Sequence, residues 1–212
     1  RKTNFAARQL FRKAIERDSE YADAYVGLGR TYFDAFLYGW TGTPTEDRDR
    51  ARDLARKAIA IDNNNASGHS LIGEIYVNRR QYDLALVSHE RAIALNPNNS
   101  DPHAKQGIAL VNMGRPDGAI NALETSLRFD PVISPIRSVH LGLAYYLKQR
   151  YDDAVAILES ALAQNAHYEF GYTVLAASYG QMGRRDEALR AANGVRRLNP
   201  FFSTGDFQKR SL

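Results

Sequence analysis

A small residue returns along this sequence on a fixed pitch. The segments GRTYF, GEIYV, GIALV and GLAYY place Gly29, Gly73, Gly107 and Gly142 at steps of 44, 34 and 35 residues, and AASYG places Ala176 another 34 along. A second ladder runs through Ala51, Ala85, Ala119, Ala154 and Ala188 at steps of 34, 34, 35 and 34. A looser third one is Pro97, Pro131 and Pro200, with DNNN and QNAH standing at the missing rungs. Self-similarity at this period implies stacked copies of one small unit, each too small to bury its apolar face alone.

Each unit reads as helix, short turn, helix, turn. SDPHAKQGIALVNMG carries apolar or small residues at three- and four-residue spacing, as an amphipathic helix requires. Ser100 before Pro102, and Ser134 before Pro135, are candidate N-caps. NMGRPD, LKQRYD, QMGRRD and VNRRQYD are the turns inside the units, and Gly114 and Gly183 suit the position past a helix end where φ > 0 is needed. The second helix starts on Asp, and the following Asn-Pro or Asp-Pro stops it. Ala7, Phe11 and Ala14 keep the spacing of Ala85, His89 and Ala92, so residues 1–20 hold a second helix alone.

One unit departs from the pitch. Gly29 to Ala51 is 22 residues, whereas the matching interval is 12 in the other four units. The ten extra residues lie within FLYGWTGTPTEDRDRAR, over 36–46, and include Trp40, the single Trp. Tyr32, Phe36 and Trp40 at four-residue steps predict that the first helix runs on to about Leu37 or Trp40. Gly42, Thr43 and Pro44 then turn the chain, and Thr45 caps the next helix, with Glu46 and Asp47 in its first turn. Trp40 either folds back on the lengthened helices or stands out as a docking knob.

A 34-residue unit with Leu/Ile-Gly-x-x-Tyr and then paired Ala resembles the tetratricopeptide repeat. The residues are Leu28-Gly29 with Tyr32, Ile72-Gly73 with Tyr76, Leu141-Gly142 with Tyr145, and Leu175-Ala176 with Tyr179. The Ala pairs are Ala51/Ala58, Ala85/Ala92 and Ala154/Ala161; Gln106, Leu110 and Ser126 depart from the pattern in one repeat. The resemblance implies an all-α, alpha-alpha superhelix (a TPR solenoid) of about five full repeats plus a leading half repeat and a short C-terminal capping helix. The array is read as a single domain over 1–212. It comprises the half repeat 1–20, repeats 21–65, 66–99, 100–134, 135–168 and 169–202, and a tail 203–212 in which Ser203 and Asp206 form a capping box.

In this family the first helices line a concave groove. The resemblance carries that role to Arg30, Glu74, Asn78, Lys105, Asn112, His140, Leu143, Tyr146, Phe170 and Val174. That groove, charged in its first half and apolar in its second, suits a peptide or a partner domain. The alternative is that Tyr146, Phe170 and Val174 pack against a neighbouring helix. The chain also looks like the region C-terminal to bacterial class III adenylate/guanylate cyclase domains. The shared features are the GW-containing stretch, ARDLARKAIAID, and the closing GVRRLNPFFSTGDFQKR. That likeness implies a cytoplasmic, non-catalytic scaffold in a larger signalling protein, contacting its own upstream domain or a free partner. Similar arrays follow winged-helix transcription regulators. The opening RKTNFAARQL reads as part of something longer.

Nothing in the sequence assembles chemistry. Cysteine is absent, which removes disulfides, Cys-ligated zinc and a thiol nucleophile. His69 and His103 recur at equivalent places 34 apart, which reads as packing, and His140 is the histidine expected in the groove. GLGR over 27–30 lies in a helix and lacks phosphate-loop spacing, and Asp152/Asp153 reads as a helix cap. No cofactor and no metal site follow. The net charge of +4 comes from mixed signs, so nucleic acid is the weakest partner reading, and no apolar run reaches membrane-spanning length.

The small residues between paired helices give a direct test. Ala119→Leu is expected to overpack its helix pair and lower stability by roughly 1–3 kcal/mol, read as a fall in the urea midpoint.

Overall fold

The computed structural model describes residues 1–130 and 135–203. Among these residues there are eleven helices and no strand. They are α1 (Lys2–Arg17), α2 (Ala22–Leu37), α3 (Pro44–Ile61), α4 (Ala66–Asn78), α5 (Tyr82–Leu95), α6 (Ser100–Asn112), α7 (Pro116–Phe129), α8 (Pro135–Leu147), α9 (Tyr151–Gln164), α10 (Glu169–Gln181) and α11 (Arg185–Leu198). The cap expected at Ser134 and the terminal helix expected after Ser203 fall outside the described residues.

The chain forms two compact units, Arg1–Lys105 and Gln106–Leu212. In the first, α2 packs on α3, α4 on α5, and α1 on α2, while α2 also meets α4. Its core gathers Leu28, Tyr32, Phe33, Ala51, Ala55, Leu71, Ile72 and Ile75. In the second, α8 packs on α9, α10 on α11, and α8 meets α10. Its core runs from Ala119, Leu123 and Leu141 to Val139, Leu158, Leu175 and Ala191.

Glycine sets the spacing inside a pair. A Cβ added at Gly107 would stand 2.5 Å from Leu123 Cγ, one at Gly142 2.6 Å from Leu158 Cγ, and one at Gly73 2.5 Å from His89 Cε1. The residue facing each glycine therefore lies one turn beyond the ladder alanine, which itself is fully buried at Ala85, Ala119 and Ala154. At Gly29 the equivalent place is Ala55, and an added Cβ would meet Leu71 Cδ2 at 3.0 Å instead.

All five first helices end alike. Gly39, Arg80, Gly114, Gln149 and Gly183 adopt φ between 57° and 72°. In each case this residue's N–H and the next one reach back to carbonyls of the last turn, as in Trp40 N–H to Ala35 O (2.9 Å) and Arg150 N–H to Tyr145 O (2.9 Å). This is the Schellman closure. Two of the five positions lack glycine and carry the steric cost of a Cβ in the left-handed region.

The closure also locates the ten extra residues. Helix α2 has 16 residues where α4, α6, α8 and α10 have 13, and α3 has 18 where α5, α7, α9 and α11 have 14. The remaining three lie in the turn. As expected, α2 stops at Leu37, but the cap expected at Thr45 is not one: Pro44 opens α3, so Thr45 is already helical. Thr41 Oγ1 donates to Asp47, which is buried in the first turn of α3. Likewise Ser100 lies inside α6, and Asn99 Oδ1 accepts the Asp101 N–H at 3.1 Å.

Between units of the repeat an Asp or Asn does the turning. Asp18, Asp62, Asn165 and Asn199 each accept the N–H two residues on, at 2.9–3.3 Å. An Asx turn of this kind needs no proline, so the rungs without Pro turn the same way. Asp152 and Asp153 lie in the first turn of α9, where their charge suits the helix dipole, and Asp153 also pairs with Arg150 at 2.7 Å.

Gln149 (φ 59°) is exposed at its closure. Gln149→Gly is expected to raise stability by a few tenths to about 1 kcal/mol, because relief of left-handed strain exceeds the added chain entropy. A shift of the urea midpoint upward checks it.

Candidate functional site

Of the residues assigned to the groove, Arg30, Glu74 and Lys105 meet one another, and so do His140 and Phe170. In the first unit Arg30 of α2 grips Glu74 of α4 with both terminal nitrogens, at 3.0 and 2.5 Å. Lys105 of α6 donates to the same carboxylate at 2.8 Å and lies 4.0 Å from Asp101. Three successive first helices are thus tied through a single carboxylate that is 8% exposed. Burial alone would push the Glu74 carboxyl up; the hydrogen bonds and charges of Arg30 and Lys105 outweigh it and hold it at about 2. Asp34, one turn beyond Arg30, is raised by its own burial and by Glu74, against the pull of Arg30 and Lys105. The cations Arg30 and Lys105 are therefore engaged within the chain. Asn78 and Asn112 are exposed, the latter donating to Ile108 O at 2.8 Å.

In the second unit His140 of α8 and Phe170 of α10 meet with ring centroids 5.9 Å apart. His140 Nδ1 lies 2.8 Å from Ile136 O, and burial lowers the ring's pKa. Tyr146 packs against Tyr151 at 5.6 Å, and Leu143 is half-buried against the core. Val174 departs from the expectation. It is 3% exposed and belongs to the core with Val139, Leu162 and Leu175, so it offers no accessible surface. A β-branched residue at that position packs inward because α10 is covered on two sides by α8 and α9.

Trp40 is half-buried and stacked on Tyr38, with ring centroids 4.9 Å apart and 19° between planes. Tyr38 itself is 67% exposed. The pair forms a ledge at the lengthened turn, held by the Schellman closure behind it.

Two features were missed by sequence reasoning. The first is a rule for the Leu/Ile-Gly-x-x-Tyr tyrosines: each hydroxyl bonds a charged side chain of the preceding second helix. The pairs are Tyr32 with Arg12 (2.6 Å), Tyr76 with Arg56 (3.4 Å), Tyr145 with Glu124 (2.6 Å) and Tyr179 with Glu159 (2.5 Å). Burial and the adjacent carboxylate push Tyr145 and Tyr179 up to about 12. The charges 20 or 21 residues upstream of each tyrosine are the sequence signal. The second is His89, which stands where Leu123 and Leu158 stand in later repeats. It is fully buried, and neither ring nitrogen has a hydrogen-bond partner. Burial, aided by Lys105 and opposed by Glu74, lowers it to about 4.

His69 and His103 behave as lattice residues: each Nε2 reaches the carbonyl six residues before it, Asn63 O at 3.1 Å and Pro97 O at 2.9 Å. Among the described residues no group of three His, Asp or Glu is placed to hold a metal, and no helix is long and apolar enough to cross a membrane.

The architecture is that of an all-α helix-pair repeat protein. Residues 69–102 and 104–169 each match a family model described as tetratricopeptide repeat, so these segments carry tetratricopeptide repeats. Similar solved structures include YrrB, described as a TPR protein with an unusual peptide-binding site. It has 20% identity and a TM-score of 0.67, over 94% of this chain and 97% of that one. PilF of Pseudomonas aeruginosa matches at 23% identity and TM-score 0.74, over 99% and 91%. The APC/C hetero-tetramer Cut9–Hcn1 matches at 18% and 0.80, covering all of this chain but only 40% of that one. No curated protein sequence matches the chain.

His89 makes stability acid-sensitive. Its folded pKa is depressed, so the neutral form's contribution is complete above the unfolded value of 6.5 and is lost as pH falls from 6.5 through about 4. The loss is about 3 kcal/mol. His89→Leu, with Leu123 and Leu158 as precedents, is expected to be more stable and to flatten this window. Urea midpoints between pH 7 and 4 check it, with Glu74 and Lys105 left in place.

Proposed function

We propose that this chain is a non-catalytic protein-interaction module that holds a peptide or partner domain along its first helices. The observation that carries the reading is the Arg30–Glu74–Lys105 bridge across α2, α4 and α6. It braces three consecutive first helices into one rigid face, and Asn78 of α4 is exposed and available to a ligand. In the second unit His140, Phe170 and Tyr146 supply partly open aromatic surface on the equivalent helices. A pre-organised face lowers the entropy lost on binding an extended partner. YrrB's description as having a peptide-binding site supports the same reading by analogy.

The parent is proposed to be a cytoplasmic bacterial signalling protein with a class III cyclase-like domain upstream. The support is the likeness of the GW-containing turn and of the closing GVRRLNPFF. The Tyr38–Trp40 ledge is then a contact for that domain or for a free partner. A coding sequence upstream of Arg1 that specifies any other domain overturns the parentage.

For the face itself, a peptide array probed with the wild-type chain selects a ligand. The double variant Asn78→Ala, Tyr146→Ala is expected to bind it at least about tenfold more weakly while circular dichroism shows the helical fold retained, because neither residue belongs to the ion bridge and Tyr146 gives up only its packing against Tyr151 and the core edge. Equal affinity of the two proteins sinks the assignment.

A further inference from the structure

We propose that the cavity between α9, α10 and α11 is a binding site for a free apolar α-amino acid, separate from the peptide face. The cavity has a volume of about 330 Å³ and is lined by Glu159, Tyr172, Leu175, Tyr179, Arg190 and Ala191, and by the Arg184–Glu187 pair. Such a volume suits a ligand of amino-acid size.

The opening is created by departures from the repeat. One repeat earlier, the place of Ala191 is held by Ile157, and that of Gly194 by Ser160. Ile157 is half-buried and packs against the cores on both sides of it. Its branched side chain has no counterpart at Ala191. Tyr172, which replaces Ser138 of the earlier repeat, does not refill that space. Its ring lies over Gly194, where an added Cβ would be 2.5 Å from Tyr172 Cδ1, and its hydroxyl receives a hydrogen bond from Arg197 at 3.4 Å. A glycine in mid-helix is less stable than alanine there, and what it allows is this ring position.

The polar groups left over define the ligand. Arg184 is spent: its Nε donates to Glu187 at 3.0 Å and its guanidinium lies 4.6 Å from the Tyr179 ring centroid. Arg190 makes no hydrogen bond and no ion pair within 4.0 Å among the described residues; its charge reaches Glu187 only at longer range and helps to lower that carboxyl's pKa. Glu159 accepts the Tyr179 hydroxyl through Oε1, at 2.5 Å, and its other oxygen accepts nothing among them. One unused cation and one unused carboxylate oxygen thus flank a floor of Leu175, Ala191 and tyrosine faces. A carboxylate fits Arg190, an ammonium fits Glu159 and the ring faces, and an apolar side chain fits the floor. A zwitterion with an apolar side chain, such as phenylalanine or leucine, satisfies all three at once.

Calorimetric titration of the whole chain with L-phenylalanine and L-leucine tests this. Saturable binding is expected, weakened at least about tenfold by Arg190→Gln and lost in Ala191→Ile. The latter copies Ile157 and so has a folded precedent in the same protein, and Arg190 is exposed; both variants should keep the wild-type Tm. Phenethylamine and 3-phenylpropionate, each lacking one charge, are expected to bind at least about tenfold more weakly than phenylalanine. Asn78→Ala, Tyr146→Ala should leave amino-acid binding intact, which separates this site from the peptide face. No saturable binding up to about 10 mM, or equal binding by Ala191→Ile, overturns the site. Single-charge analogues that bind as tightly as phenylalanine overturn the zwitterion.

Discussion

The whole architecture rests on how closely two helices of a unit can approach. At Gly73, Gly107 and Gly142 the backbone of a first helix lies against a side chain of the second, where no Cβ could stand without displacing it. That contact holds each pair at a fixed distance and orientation. The ladder alanines beside it are fully buried for the same reason. Because dispersion falls off steeply with a gap, a pair set this close gains contacts along its whole length. Each pair then presents a second apolar surface that only a neighbouring pair can cover.

Rigid pairs need rigid ends. The left-handed closure after each first helix and the Asx turn after α1, α3, α9 and α11 leave few torsions free, so these copies repeat one geometry. Repetition has an electrostatic consequence. Neighbouring positions of consecutive first helices come within reach of one another, and opposite charges there form bridges: Arg30 and Glu74 each follow a ladder glycine, and Lys105 reaches Glu74 from one turn earlier in its helix. The tyrosine hydroxyls show the same logic on the other side of each repeat, with arginine as partner in the first unit and glutamate in the second. Variation within a fixed lattice changes the local chemistry: Ala191 stands where the earlier repeat has Ile157, beside a cavity, and His89 stands in a core where later repeats have Leu.

Much of this was legible in the residues. The pitch of Gly29, Gly73, Gly107 and Gly142 predicts the helix pairs, and Gly114 and Gly183 predict two of the five closures. The spacing of Tyr32, Phe36 and Trp40 leaves the end of α2 at about Leu37 or Trp40, and the helix takes the earlier one. Less was legible at the candidate site. Arg30, Glu74 and Lys105 share a face, as the repeat implies, but their charges read as open to a ligand until the geometry pairs them. Val174 has the period of a surface position and the burial of a core one. Thr45 and Ser100 are not caps because each already lies inside its helix: α3 opens at Pro44 and α6 at Ser100 itself.

By itself, the sequence determined the period, the helix pairs, the small residues between them and the size of the one insertion. These are local properties, set by spacing along the chain and by which side chains a helix can hold. Only the tertiary structure decided which charges neutralise each other, which aromatic residues stay open, and where a missing side chain leaves a cavity rather than a collapsed contact. Those outcomes depend on distances between residues 20 to 44 positions apart, as in Tyr179 with Glu159 and Arg30 with Glu74. Side-chain reach and burial act over a few ångströms in space, and the pitch of a repeat does not specify them.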